Sequence, residues 1–345
     1  MMALFLSRLR PTPRLLLLPS RGLASDLAAA PSTSSSHFLT SESDASKHDH
    51  RHLGRLYPAP MELVTSDYGG LTDTQLKNVS LFPRTFTERC RKMDESRVLV
   101  RQPVIEVMEA VRAQDEAAEP RQSLRFVLWG KIGHGKSVCL GHLHHFFLSR
   151  PDFIVVNFKK LNNWFHRNWD IADSFYESDR IDHVGNSLVV LKQFAADNAG
   201  SDKLGSLKTH RCYKWTNREQ TEEGEPLMSV VSVGVERPKF AADALGVLLR
   251  ELRLHSSAGA CRLAVLMDGV NCLFAETSLV VRDRPRWGFG PFTPAKVAQL
   301  VPMAEFTAVE QMKRLLGPEV TNTVVVTTVD KKQQINFYQG KPVLR

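Results

Sequence analysis

The chain has 345 residues, 43% hydrophobic and 24% charged, with a net charge of +8. These are globular values, which exclude a wholly disordered chain and leave length for one large domain or two modest ones. No apolar run reaches the roughly 18 residues needed to span a bilayer. The five cysteines are widely spaced without a C-x-x-C pair, which argues against a disulfide framework or a cysteine zinc site.

Residues 1–25 contain no acidic side chain and carry Arg8, Arg10, Arg14 and Arg21 among leucines and serines. A positive, amphipathic, acid-poor start reads as a mitochondrial transit peptide. The short apolar core Leu15–Leu18 suits a secretory signal, but the scattered arginines and Pro11, Pro13 and Pro19 oppose that reading. Residues 26–50 are rich in Ser, Ala, Thr and His and read as a disordered linker. His48, His50 and His52 alternate with charged residues, and a solvated basic segment is the expectation there over a metal site.

The most informative segment follows. Arg125-Phe-Val-Leu-Trp129 reads as a short buried strand, and Gly130, Lys131, Ile132, Gly133, His134, Gly135, Lys136 and Ser137 fit G-x-x-x-x-G-K-[ST] at every fixed position. Glycines admit backbone angles that other residues resist, so successive N–H groups can turn inward around a phosphate. Lys136 would reach the β- and γ-phosphates, and the Ser137 hydroxyl would hold Mg²⁺. A helix from about Val138 to Phe147 would aim its positive end at the same anion.

Three continuous apolar runs, Phe153–Phe158, Leu263–Asp268 and Thr323–Thr328, read as buried parallel strands. Between them, Ala241, Ala244, Leu245, Leu248, Leu249 and Leu252 recur at helical spacing. The alternation predicts an α/β fold with a doubly wound, mainly parallel sheet of the P-loop NTPase kind. Asp268 ends its strand as a Mg²⁺-side acid would, although Asp-Gly also makes a good turn. Gly269 stands where many ATPases place a water-polarising glutamate, so little or no hydrolysis is expected. Glu276 is the substitute base, and Arg282, Arg284 and Arg286 are possible arginine donors. Thr327 and Thr328 suit either a γ-phosphate sensor or a plain strand end.

Arg211-Cys-Tyr-Lys-Trp-Thr-Asn-Arg218 interleaves basic and aromatic residues, which suits RNA contact or an ordinary loop. The Trp164 and Trp169 pair reads as core or interface anchors. The basic segment 280–290 reads as an exposed loop.

Several ordered stretches resemble the death-associated protein three family, the P-loop protein of the mitochondrial ribosome's small subunit. They are His52-Leu-Gly-Arg-Leu-Tyr57, Val100-Arg-Gln-Pro-Val-Ile-Glu-Val107, the loop at 128–137 and, most specifically, Tyr213-Lys-Trp-Thr-Asn-Arg-Glu-Gln-Thr-Glu-Glu-Gly-Glu-Pro-Leu227. Ala242–Leu252 and Met267–Phe274 complete the set, which covers roughly residues 50 to 330. The resemblance implies an AAA/STAND-like domain at 121–330, preceded by an extension at 51–120 with ribosome contacts. It implies a guanine nucleotide, GTP or GDP rather than ATP, held with Mg²⁺ by Gly130 to Val138. Asp268 then serves as the acid on the metal side. It also implies contacts with small-subunit rRNA and other mitochondrial ribosomal proteins, matrix location, and an association with apoptosis. No Asn-Lys-x-Asp guanine-reading motif is present, so the choice of base rests on the resemblance. The family continues into a largely helical region that residues 331–345 do not resemble, so a truncated C-terminal region is expected. The competing expectations are an active NTPase coupling hydrolysis to signalling, a cell-death adaptor and, last, a small-molecule kinase.

Overall fold

In the computed structural model, four strands form one parallel sheet in the spatial order β1-β4-β3-β2: β1 Leu124–Leu128, β2 Phe153–Phe158, β3 Arg262–Met267 and β4 Thr323–Thr328. The structure describes residues 38–65, 81–116, 121–166, 171–175, 177, 180–275, 277, 280–281 and 299–330. The stretch read as a transit peptide, Trp169, Glu276, the arginines of 282–286 and the tail 331–345 lie outside them.

Side chains alternate between the faces of a strand, and both faces here are covered. Ile154, Val156, Leu263, Val265 and Val325 join one core with helices α3 Val184–Asp197, α4 Leu227–Glu236, α5 Ala241–Ser257 and α6 Thr307–Leu315. Val155, Ala264, Leu266, Val324 and Val326 join the other with α1 Gln102–Asp115 and α2 Lys136–Leu148. The expected doubly wound α/β sheet is thus present. β2, β3 and β4 are buried throughout, as continuous apolar runs require. Trp164 is buried in the first core.

Two expectations need correction. β1 is not a buried strand: among the described residues it borders only β4, and Val127 is 60% exposed. The linker reading fails from residue 38 onward. Leu39 bridges to Leu56, Ala45–Lys47 forms a short helical turn, and Ala45 and His48 are fully buried. His48 is therefore not a solvated basic residue. The reason is tertiary: α2 presents His142 and His145 inward, and the imidazole of His48 meets that of His142 at 2.8 Å. His50 and Arg51 remain largely exposed.

Three helices meet closely at Gly234. A Cβ there would fall 2.5 Å from Leu191 Cδ1 and 2.7 Å from the Cβ of Ala244. Gly234→Val should therefore overpack the α3–α4–α5 junction and cost about 1–3 kcal/mol. Urea denaturation checks this, and an unchanged midpoint would refute the close contact. No described helix is long and apolar enough to cross a membrane.

Candidate nucleotide-binding site

β1 ends at Leu128, and the loop carries the chain to α2, which opens at Lys136. Gly133 and Gly135 take φ of +83° and +75°, angles that a side chain strongly disfavours. Gly135 is the N-cap of α2 and offers no side chain to the first-turn N–H groups, leaving that cationic helix end to an anion. The Lys136 ammonium lies across the loop, donating to the carbonyls of Gly130 and Lys131 at 3.1 Å each. Lys131, Ile132 and His134 are exposed on the loop, whereas Val138 turns into the core beneath it.

Two hydroxyls from different elements converge on one carboxylate oxygen. Ser137 Oγ, in the first turn of α2, donates to Asp268 Oδ1 at 3.0 Å. Thr328 Oγ1, at the end of β4, donates to the same oxygen at 2.6 Å. The Gly269 N–H in turn donates to Thr328 Oγ1 at 2.9 Å. Burial pushes the Asp268 carboxyl up, against the pull of the Thr328 and Ser137 hydroxyls. Parallel register explains the convergence, because Thr327 pairs with Met267 and Thr328 with Leu128, so all three strand ends share one edge. The two threonines separate in role. Thr328 touches the acid, while Thr327 donates to the Phe126 carbonyl at 3.2 Å and holds β4 to β1. Gly269 has φ +88°, so the residue after Asp268 makes a left-handed turn and carries no side chain.

Sequence reasoning missed Arg101. Its Nη1 donates to the His134 carbonyl at 2.8 Å and would lie 2.9 Å from a Cβ at position 135. The guanidinium thus supports the back of the loop. The Arg-x-Pro pattern ahead of the loop was its only trace in the sequence. Asn271, whose role the residues alone did not reveal, pairs in both directions with the Asp330 backbone at 2.9 and 2.8 Å. It ties the turn after β3 to the exit of β4. A cleft of about 880 Å³ opens beside the loop, lined by Leu53, Gly54, Arg101, Pro103, Trp129 and His134 among others.

The Arg211–Arg218 segment enters a hairpin, Tyr213–Lys214 against Gln220–Thr221. Tyr213 and Trp215 are buried, and the Trp215 indole N–H donates to Thr221 Oγ1 at 2.9 Å. Base stacking on these rings is therefore not available. Arg211, Lys214 and Arg218 remain on the outside, and Asn217 sits in the exposed turn.

A family model described as mitochondrial ribosomal death-associated protein 3 matches residues 98–284, a span that holds both the loop and Asp268. The chain is 33% identical over 260 residues to small ribosomal subunit protein mS29 of Bos taurus, covering 75% of this chain and 60% of that protein. It is 32% identical over 246 residues to the Mus musculus protein of the same name, covering 71% and 59%. The Schizosaccharomyces pombe mS29 is 25% identical over 228 residues. The chain thus spans about 60% of the length of the mammalian relatives it matches. With more than half its length matched by the family model, and with the resembling motifs in place along the fold, the chain belongs to the mitochondrial ribosomal death-associated protein 3 family.

Proposed function

We propose that this chain is a component of the small subunit of the mitochondrial ribosome, in the mitochondrial matrix, and that it holds a guanine nucleotide with Mg²⁺ as a structural ligand. The observation carrying the nucleotide part is the meeting of Ser137, Thr328 and Asp268 at the mouth of the glycine loop. The residues fit the metal: Ser137 gives its hydroxyl proton to Asp268 Oδ1 at 3.0 Å, which leaves the oxygen's lone pairs to a cation at the loop. Ser137 would hold the cation directly and Asp268 through water. When bound, Mg²⁺ would neutralise phosphate charge. The chain's own residues Gly130 to Val138 would cradle the phosphates, and Lys136 would turn from the loop carbonyls to them. The interposed strand β4, with a polar end between the loop strand and the acid's strand, favours the AAA/STAND-like class of P-loop NTPase. The cleft beside Trp129 and Arg101 has room for the nucleoside.

Guanine over adenine, rRNA and protein contacts, and the association with apoptosis rest on the family. The exposed Arg211, Lys214 and Arg218 are the residues suited to phosphate contact. Turnover is not expected, because Gly269 supplies no acid beside Asp268. A retained nucleotide stabilises the fold by mass action, about 4 kcal/mol at a thousandfold excess over Kd.

The test is to purify the chain without added nucleotide, denature it and identify what is released by chromatography. One guanine nucleotide per chain is expected, and Lys136→Ala should lose it while keeping the wild-type circular dichroism. A well-folded wild type that releases no nucleotide would overturn the proposal. Release of ATP or ADP would replace guanine by adenine and favour a signalling ATPase. Salt-resistant cosedimentation with mitochondrial small subunits tests the ribosomal part, and its absence would refute that part.

A further inference from the structure

A second cluster lies on α5, distinct from the nucleotide site. We propose that His210, Glu251 and His255 form a site for a divalent transition metal, zinc by its chemistry, which clips the segment around 207–226 onto α5. Glu251 and His255 are four residues apart and so share one helix face. His210 arrives from the chain just before the Tyr213 hairpin. One ligand atom from each of the three lies within 4.8 Å of the others. The two imidazole rings are 4.3 Å apart between centroids. Tetrahedral zinc bonds of about 2.0–2.2 Å place ligand atoms near 3.4 Å from one another, so modest rotations would close the shell.

The surrounding bonds orient the ligands, as an outer shell does around a metal. His255 Nε2 meets the Lys208 carbonyl at 2.7 Å and must donate to it. That leaves Nδ1 as the lone-pair nitrogen of a neutral ring, and burial holds this histidine below its usual range. Glu251 is fully buried. Its Oε1 accepts from the Tyr213 hydroxyl, which itself accepts from Arg250 Nη1 at 2.9 Å. Its Oε2 faces the His210 backbone N–H at 3.0 Å and Nδ1 at 2.6 Å. Burial works against the Glu251 charge, and the Tyr213 and His210 hydrogen bonds more than offset it, keeping the carboxyl below its usual range. The carboxylate is thus ionised, with one oxygen anchored and the other beside the imidazoles.

Two imidazoles and one carboxylate are the donor set of zinc rather than of Mg²⁺ or Ca²⁺, which take oxygen ligands. The His210 side chain is 42% exposed, which leaves a solvent side for water as a fourth ligand. Zinc would take the place of the hydrogen between His210 Nδ1 and Glu251 Oε2.

The test uses the full chain, stripped with a strong chelator and titrated with Zn²⁺ against a chromophoric competitor. Co²⁺ is titrated in parallel for its visible spectrum. One Zn²⁺ per chain and an intense low-coordinate Co²⁺ spectrum are expected. His210→Gln and His255→Gln should each weaken binding by at least about 10–100-fold, the loss typical of even an outer-shell partner. Lys136→Ala should bind zinc as the wild type does, which separates this site from the nucleotide loop. Zinc should raise the melting temperature of the wild type and not of the double variant H210Q/H255Q. No competition for micromolar zinc, or equal zinc binding by the folded double variant, would overturn the site and leave a hydrogen-bonded cluster only.

Discussion

Replacing Asn198 by leucine should destabilise the fold by about 2–5 kcal/mol, since two buried backbone groups lose their partners at once. Asn198 follows α3, and its side chain is buried against β2. Its Oδ1 accepts from the Val155 N–H at 2.8 Å, and its Nδ2 donates to the Val155 carbonyl at 2.9 Å. Nδ2 also donates to the Phe194 carbonyl at 2.8 Å, closing the end of α3. β2 is the sheet's edge among the described residues, so one side of its backbone has no neighbouring strand there. A single carboxamide takes the place of that strand at Val155. Leucine shares the branched four-atom skeleton of asparagine but offers neither donor nor acceptor, and water cannot reach a site this buried. Urea denaturation of the variant gives the cost. A loss below 1 kcal/mol would mean that Val155 finds another partner and that the side chain is not a backbone substitute.

The second large effect is acid sensitivity between pH 6.5 and pH 4. Burial lowers His145 to about 4 and, with some compensation from the Trp164 carbonyl, lowers His183 to about 4 as well. Burial also lowers His48, and drives His142 further down with the neighbouring histidines assisting. In each case the folded state binds its proton less readily than the unfolded chain does. The stability is therefore complete above about 6.5 and is lost as pH falls through that value toward 4. His145 and His183 by themselves would remove about 4 kcal/mol between pH 7 and pH 5.

Most carboxylates titrate below this window, but burial pushes Asp243 up to about 7, and its uptake of a proton in the folded state offsets part of the histidine loss. The groups facing the His48–His142–His145 cluster are Tyr57, His52, His144 with Asp197, and the acids Glu42 and Asp44. The chain at 38–58 should loosen first, because His48 and Tyr57 attach it to α2 through these rings. Hydrogen exchange at pH 5 would show this as early loss of protection there. His145→Phe should flatten the pH dependence of Tm. A pH dependence of Tm that His145→Phe leaves unchanged would exclude the buried, neutral histidines as its cause.

The glycine loop, the four strands and two of the helices, α2 and α5, were legible from the residues alone. That legibility has a physical basis. Phosphate chemistry restricts the loop to glycine, lysine and a hydroxyl at fixed spacing, and local backbone geometry enforces the same pattern. Continuous burial on both faces gives parallel strands an unbroken apolar run, so β2, β3 and β4 stood out within a residue of their ends. Family membership was legible for a related reason: the Tyr213–Leu227 run combines constraints that few folds share.

What only the tertiary structure decided depends on partners distant in sequence. The order β1-β4-β3-β2 is what brings Thr328 to Asp268 and assigns different tasks to two adjacent threonines. Arg101 reaches the loop from 33 positions away, and Asn198 satisfies a strand 43 positions away. His48, read as part of a polar linker, is buried because a helix 94 positions later offers it an imidazole. Composition reports what a residue prefers in water. Its environment in the fold depends on which surfaces meet, and periodicity along the chain carries no information about encounters at such separations.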